Sequence, residues 1–441
     1  MATTNVAVFG SDTSTLHTHP PAGDAASPIP ASDFVTLTAA TPGADLNLAI
    51  AALPSIGGRI TIYPDALNSG VYELEEEVAI DKDNVEIVCL PGVVFQQVSP
   101  ESSWSNDDSF FDFQGHSHCT FRGGRFVWTT DFDLTMTVGI RNVATAEDSN
   151  AHFTVEGTTW DFTLASIDDL IVFTAIQARG DSPATETRRV RIVDNNFDAA
   201  INRNSLTCIM MEDCTHSQVS RNSFGPKIAS VATQNYRFGI RINEGRLNTI
   251  AENSFSQITG TGLSGQAHIL IDSDGTEGGH CNVIDNLFET SGVTGIDACV
   301  LLRGSDFVIV SGNNFGRCTN NKAVIKAEVR SNGVLGRGLN ITDNIFHAIV
   351  PTEDNLNFPI HIDGYERVNI QGNVAVNWDA ITQDYVRVDS PATLVVFNDN
   401  TNPAFPGSQS QPRNRVRSPI NFRGPRNQEW VENCYPGTRN Y

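Results

Sequence analysis

Lysine is nearly missing from this 441-residue chain. Only Lys82, Lys227, Lys322 and Lys326 occur, against 51 acidic residues, and the formal net charge is −22. That balance speaks against a nucleic-acid partner, because neutralising phosphates takes clustered positive charge. No apolar run approaches the roughly 18 residues of a membrane-spanning helix, so no membrane span is expected. Met1 to Val6 has neither a basic start nor an apolar run, which excludes a secretory signal there. None of the eight cysteines stands in a CxxC pair, and Cys208 with Cys214 has no companion pair at metal-finger spacing. The cysteines therefore read as small, reduced core filler, in a chain made in a reducing cytoplasm. Long helix-forming runs are absent as well.

Short strand-like segments and turn residues are what the chain has instead. Hydrophobic residues make up 40% and charged residues 18%, with 35 glycines, a balance that suits many short strands joined by tight turns. Residues 1–33, with Pro20, Pro21, Pro28 and Pro30, read as an extended docking arm. Asp45 to Pro54 reads as a short amphipathic helix that Asp45 caps and Pro54 ends. Period-two strands follow at Arg59–Tyr63, Val71–Leu74 and Val85–Leu90. Residues 401–441 change character again, with six arginines among proline, asparagine and glycine, and read as an irregular tail. The body between arm and tail is 34–400.

A degenerate repeat, Asn–x–Phe after an apolar residue, runs through that body. Its asparagines are Asn195, Asn222, Asn253, Asn286, Asn313, Asn344 and Asn373, spaced 27, 31, 33, 27, 31 and 29 residues apart. Gly124-Arg-Phe126 and Thr158-Thr-Trp160 are weaker early copies, and Asn373-Val-Ala375 is a degraded late one. A wandering period of about 30 residues marks a solenoid with loops of variable length. Asparagine suits the tight turn, since it tolerates left-handed backbone angles and its amide can bond the neighbouring turn. The aromatic residue two places on should point inward and stack between coils. The fold expected is all-β, a single-stranded right-handed parallel β-helix of about ten coils with a short N-terminal capping helix.

These residues resemble the pectate-lyase-like right-handed parallel β-helix superfamily. The capping helix, Gly57-Gly58, Tyr63-Pro64, Gly70-Val-Tyr72 and Pro91-Gly92 are similar to its N-terminal coil, and the asparagine turns resemble its ladders. The resemblance covers about residues 40–400 and implies the fold; the superfamily hosts lyases, hydrolases, adhesins and tailspikes, so it does not fix the activity. The polygalacturonase set of Asn-Thr-Asp, Asp-Asp, Gly-His-Gly and Arg-Ile-Lys motifs is not found; Asp168-Asp169 stands alone. The organisation, with an arm, a solenoid without an export signal and an arginine-rich tail, is similar to viral tailspike proteins. That resemblance implies a homotrimer in the virion, bound to other virion proteins through its arm and recognising host surface polysaccharide.

A strand before each asparagine turn defines a face. Its inward pairs are read as Val138 and Ile140, Ile176 and Ala178, Ile209 and Met211, Ile240 and Ile242, Ile269 and Ile271, Val300 and Leu302, and Ile360 and Ile362. The next residue then points outward, which gives a ladder of Arg141, Arg179, Glu212, Asn243, Asp272, Arg303 and Asp363, with Arg241, His268 and His361 beside it and Lys326 and Glu328 in the intervening coil. This is either a solvated ladder of mixed charges or a saccharide groove in which Arg241, His268, Arg303 and Asp363 bind ligand. For glycosidic cleavage two carboxylates must flank the bond. Glu212 and Asp272 lie two coils, about 10 Å, apart, and Glu244 is a third candidate beside Gly245 and Arg246. Asp272, Asp274 and Glu277 read as a polar loop, so neither metal nor cofactor is expected. His17-Thr-His19 and His116-Ser-His118 read as ordinary polar residues, and Trp104, Trp378 and Trp430 as possible sugar-stacking groups. A free polysaccharide lyase or glycoside hydrolase and a non-enzymatic virion component stay open as alternatives.

Overall fold

A computed structural model describes residues 5–9, 34–37, 41–64, 70–97, 108–127, 138–144, 152–161, 173–180, 186–198, 206–225, 236–256, 265–273, 279–289, 296–316, 323–329, 333, 335–347, 358–376, 384–388, 394–398 and 413–416. They form a parallel β-solenoid in two compact units, Met1–Asp198 and Ala199–Tyr441. Every strand pairing within each unit is parallel, and each coil gives one strand to each of three sheets. The first unit gives five strands and the second unit six to the second sheet, so the turn count differs slightly from the ten expected for the chain. His17, His19, Trp104, Trp128, Asp168, Asp169, Asp274, Glu277, Trp378 and Trp430 lie outside the described residues.

In the first unit the first sheet stacks Gly58–Ile62, Val85–Cys89, Thr120–Arg122, Thr154–Glu156 and Arg191–Val193. Asn5–Phe9 adds a parallel strand beside Gly58–Ile62, inside the segment read as an arm. The helix spans Pro42–Ala52 and buries Leu46, Ala49 and Ile50. It begins earlier than expected. Pro42, not Asp45, sets the first turn, since proline's fixed φ suits that position and its missing N–H costs nothing there. Its free ends are closed by the next coil. Glu75 accepts from the backbone N–H groups of Gly43 and Ala44 at 2.9 and 2.8 Å. Lys82 Nζ donates to the carbonyls of Ile50, Ala51 and Leu53 at 2.7, 2.9 and 2.8 Å.

The repeat supplies the core. In the second unit Phe224, Phe255, Phe288, Phe315 and Phe346 are fully buried and stacked, with successive centroids 4.6, 4.9, 4.8 and 5.0 Å apart. Ala375 takes the next place in register and ends the column. In the first unit Phe126, Trp160 and Phe197 form the same column. Beside the rings runs a buried amide ladder. The backbone N and Nδ2 of Asn253 both donate to Asn286 Oδ1 at 3.0 Å, and Asn286 repeats this on Asn313. Nδ2 also donates to the carbonyl of an adjoining strand, as Asn286 does to Ile250. The series runs from Asn222 to Asn373. One expectation is corrected. The left-handed residue is the one before each asparagine: Asp194, Arg221, Glu252, Asp285, Gly312, Asp343 and Gly372. The asparagine is there for its amide, and its neighbour makes the turn.

A second correction concerns His268, expected to face outward as a ligand residue. It is fully buried, its ring lies 5.1 and 5.7 Å from those of Phe255 and Phe288, and its Nδ1 is 2.6 Å from Tyr236 Oη. Alternation breaks here because His268 and Ile269 both point inward. Ala267 and Leu270 then fall on the opposite face, clustered with Phe238, Ala298 and Leu301. The same slip moves the inward pair of the strand Val138–Val143 to Ile140 and Asn142, so Arg141 pairs with Gln177 and not with Arg179. The six described cysteines are free and buried.

Two predictions follow from this packing. Asn286→Ala removes the acceptor for both Asn253 donors and two donors of its own, so it should destabilise the chain by about 3 kcal/mol in denaturant unfolding, against less than about 0.5 kcal/mol for the exposed neighbour change Leu287→Ala. Burial pushes His268 down to about 3 from 6.5. The unfolded chain therefore takes up a proton at this site first, and the contribution of the neutral ring is complete above pH 6.5 and lost as pH falls towards 3. His268→Leu should flatten the loss of unfolding midpoint between pH 6.5 and 4.5; an unchanged acid slope would place the titration elsewhere.

Candidate ligand-binding face

The third sheet of the second unit carries the face that the sequence singled out. Glu212, Asn243, Asp272, Arg303 and Glu328 occupy one register column through the strands Leu206–Glu212, Phe238–Asn243, Ala267–Asp272, Ala298–Arg303 and Ala323–Glu328. Asp363 follows directly after Ile362, which pairs with Ala327, and so stands at the next level. Inward neighbours Met211, Ile242, Ile271, Leu302, Ala327 and Ile362 are buried at 2% exposure or less. The buried column fixes the outward one, since a strand that turns one side chain in must turn the next one out.

Two residues back along these strands runs a second outward column: Met210, Arg241, Leu270, Leu301, Lys326 and His361. Its middle is apolar, because Leu270 and Leu301 are buried with Phe238. Sequence reasoning missed Arg237 and Phe238. The guanidinium carbons of Arg237 and Arg241 lie 5.3 and 5.8 Å from the Phe238 ring centroid. A Phe two places before the inward Ile240 looks inward by strict alternation. Only the bend at Gly239, where a Cβ would stand 2.8 Å from the His268 carbonyl, turns it out.

The charges form two groups. At one end Arg241 Nε donates to Asn243 Oδ1 at 3.0 Å, within the field of Asp272 and Glu212. Burial lowers the Arg241 guanidinium from its ordinary value, as do Arg237 and Arg303, while the two carboxylates work against that shift. At the other end Glu328 takes Arg303 Nε and Lys326 Nζ at 2.6 Å each. Burial tends to raise the Glu328 carboxyl, but these two donors outweigh it and hold it below the ordinary range. Glu328 is thus a fixed anion and a poor proton donor.

Glu212 and Asp272 share one column two rows apart, about 10 Å between backbones. Glu244 stands on the middle row, one place past the column, with φ at 53° and Ser273 Oγ 3.4 Å from its carboxylate. Three half-buried carboxylates thus surround the Asn243 row. A Cβ at Gly245 would meet Asn248 Nδ2 at 2.4 Å and the Cys214 carbonyl at 3.0 Å, so the missing side chain serves internal packing and not the approach of a ligand. In the first unit, His116 Nδ1 lies 3.0 Å from Asp83, while His118 stacks on His152 at 4.6 Å. Among the described residues no group of three or more His, Cys, Asp or Glu is placed to hold a metal ion, and no helix is long and apolar enough to cross a membrane.

The chain matches no known family profile, and no curated protein matches it in sequence. Solved structures do match it. A DFA-IIIase of Arthrobacter chlorophenolicus in complex with DFA-III superposes with a TM-score of 0.55 at 14% identity, covering 90% of this chain and 94% of that one. The A-module of the Azotobacter vinelandii mannuronan C-5 epimerase AlgE4 gives 0.52 at 12% identity, covering 87% and 94%. The tailspike protein of E. coli bacteriophage HK620, in complex with a pentasaccharide, gives 0.51 at 13% identity, and the match covers 82% of this chain but only 61% of the tailspike. At such identities the likeness is one of fold, and the fold is the pectate-lyase-like parallel β-helix.

Proposed function

We propose that the chain is a glycan-recognising β-helix of the tailspike kind, which binds host surface polysaccharide along the outer face of the third sheet between Glu212 and Asp363. The observation that carries this reading is the in-register column Glu212–Asn243–Asp272–Arg303–Glu328 with Arg241 beside it. Carboxylates, amides and guanidinium groups repeated every 4.8 Å or so are the groups that hydrogen-bond sugar hydroxyls in a chain lying along a sheet. Support from outside the chain is that the superposing DFA-IIIase holds DFA-III, the tailspike holds a pentasaccharide, and the epimerase is a mannuronan epimerase.

Cleavage belongs to the same face. Glu212, Glu244 and Asp272 are the carboxylates that could flank a glycosidic bond. One would protonate the leaving oxygen and a second would activate water. The two-row separation of Glu212 and Asp272, about 10 Å between backbones, is close to the upper separation, about 9.5 Å, of carboxyl pairs that invert configuration. Glu328, held as an anion by Arg303 and Lys326, serves binding and not proton transfer. Placement in a virion, with the residues before 34 docking on other virion proteins, completes the reading.

Incubating the purified chain with host capsule or lipopolysaccharide, and following both retention and chain length, tests it. Wild type should bind the glycan, and Arg241→Ala should weaken binding about tenfold without lowering the unfolding midpoint by more than a few degrees. If the glycan is also shortened, Glu212→Gln or Asp272→Asn should slow turnover by about 10²-fold or more while binding persists. No retention on any host glycan would remove the groove reading and leave the mixed-charge ladder as a solvated surface.

A further inference from the structure

The turn that leads into the first sheet places one residue of successive coils in the left-handed region. In the first unit these are Asn84, His118, His152 and Arg189, with φ between 58° and 63°. In the second unit they are His216, Leu247, His280 and Phe307, with φ between 51° and 54°, followed by Gly338 at 81°. Each of the last five stands two residues before the register column Gln218, Thr249, Asn282, Ile309 and Asn340. Asparagine and histidine visit this region readily, whereas bulky Leu and Phe do so under strain. Burial does not repay that strain, since Leu247 is 49% and Phe307 53% exposed. Such an outlier points to a contact made outside the chain.

Phe307 is exposed but not loose. Its ring meets that of His280 in the preceding coil edge-on, with centroids 4.8 Å apart at 60°. On its other side, in the following coil, lies Gly338. A Cβ there would stand 3.1 and 3.5 Å from Phe307 Cδ1 and Cε1, so the missing side chain gives the ring its place. The Phe307 backbone N–H donates to the Arg337 carbonyl at 2.8 Å. The result is a single aromatic ring held between two coils, with much of its surface left in water.

Polar groups surround the ring. The Asp306 carboxylate accepts from the Arg337 backbone N–H at 2.8 Å. Arg337 and His280 are exposed, and among the described residues neither the guanidinium nor the imidazole has a hydrogen-bond partner. A protein surface laid over the ring would bury this guanidinium and carboxylate with it, which is costly unless both are paired. A sugar ring has no such cost. Its C–H face is apolar and its hydroxyls, at the rim, both donate and accept. We propose that Phe307 is a stacking platform for one pyranose ring of a glycan, with Asp306, Arg337 and His280 hydrogen-bonding the hydroxyls of that ring. The proposal takes its ligand class from the glycan reading above and adds a second site to it. Phe307 lies four residues past Arg303 in the same coil, round the corner from the third-sheet column.

Saturation-transfer NMR of the full chain with the methyl glycosides of glucose, galactose, mannose and rhamnose, each at millimolar concentration, tests it. At least one glycoside should receive saturation, strongest on the hydrogens of one ring face. Phe307→Asn should weaken its binding about tenfold. The unfolding midpoint of that variant should hold or rise, because asparagine takes the left-handed angle with less strain. Phe307→Trp, which keeps a ring, should keep the signal. Arg337→Ala is the second probe should Phe307→Asn lose its strand circular dichroism, and it should weaken the same glycoside. Leu287→Asn, exposed on the second sheet, should leave the signal as it is. No saturation of any of these glycosides, or a signal indifferent to both Phe307→Asn and Arg337→Ala, overturns the proposal. A lowered midpoint with the signal kept would assign the ring to packing on His280 and Gly338 alone. Retention on a host polysaccharide without a Phe307-dependent signal would remove this site and keep the third-sheet reading; the signal without retention would do the reverse.

Discussion

A buried amide must find partners, and in this chain the coils on either side supply most of them. Each ladder asparagine from Asn253 to Asn344 gives its backbone N–H and an amide hydrogen to the following asparagine's Oδ1 and the other amide hydrogen to a strand carbonyl, and Oδ1 accepts two from the preceding one. A one-residue slip between coils would leave several of these groups unpaired in a site with no solvent, at a cost of about 1–3 kcal/mol each. Register is therefore set by the turn and inherited by everything else. The phenylalanine two residues on arrives directly above its mate, and the third-sheet column arrives in line because the loops of variable length are taken up elsewhere in the coil.

Much of this was legible in the sequence because it depends on local spacing. Asn-x-Phe fixes a turn and a core position within three residues, so the repeat survives loops that stretch its period from 27 to 33. Glu212, Asp272 and Arg303 could be aligned for the same reason, each lying one step past an inward apolar pair. What could not be read was where alternation breaks. Gly239, His268 and Cys299 occupy a bend at which two consecutive residues turn inward. Nothing in the string Ala267-His-Ile-Leu-Ile-Asp272 marks that bend, so His268 looked like a surface ligand and Phe238 was passed over. The Asn turn was misassigned by one place for a related reason. Asparagine tolerates left-handed angles so well that its amide chemistry and its neighbour's geometry could not be separated without coordinates.

Charge is distributed by face and not by average. Acidic residues dominate the composition, yet among the described residues of the second unit the ion pairs of Glu328 with Arg303 and Lys326 lie on the third sheet, while the first-sheet column from Gln218 to Asn369 carries no charge. Neighbouring coils meet all these outward residues at the same spacing, so a solenoid can give each side its own chemistry by changing one residue per coil. The core does not have to be repacked for any of it.

The N-terminal helix is too short to be stable by itself, and its two ends are held by groups of opposite charge. Glu75 meets the end whose N–H groups are bare and Lys82 the end whose carbonyls are, in the sense the helix dipole favours. The lid is therefore keyed. Seated backwards, it would set carbonyls against a carboxylate and N–H groups against an ammonium, so a helix whose apolar face would otherwise fit either way round packs on the first coil in one orientation only.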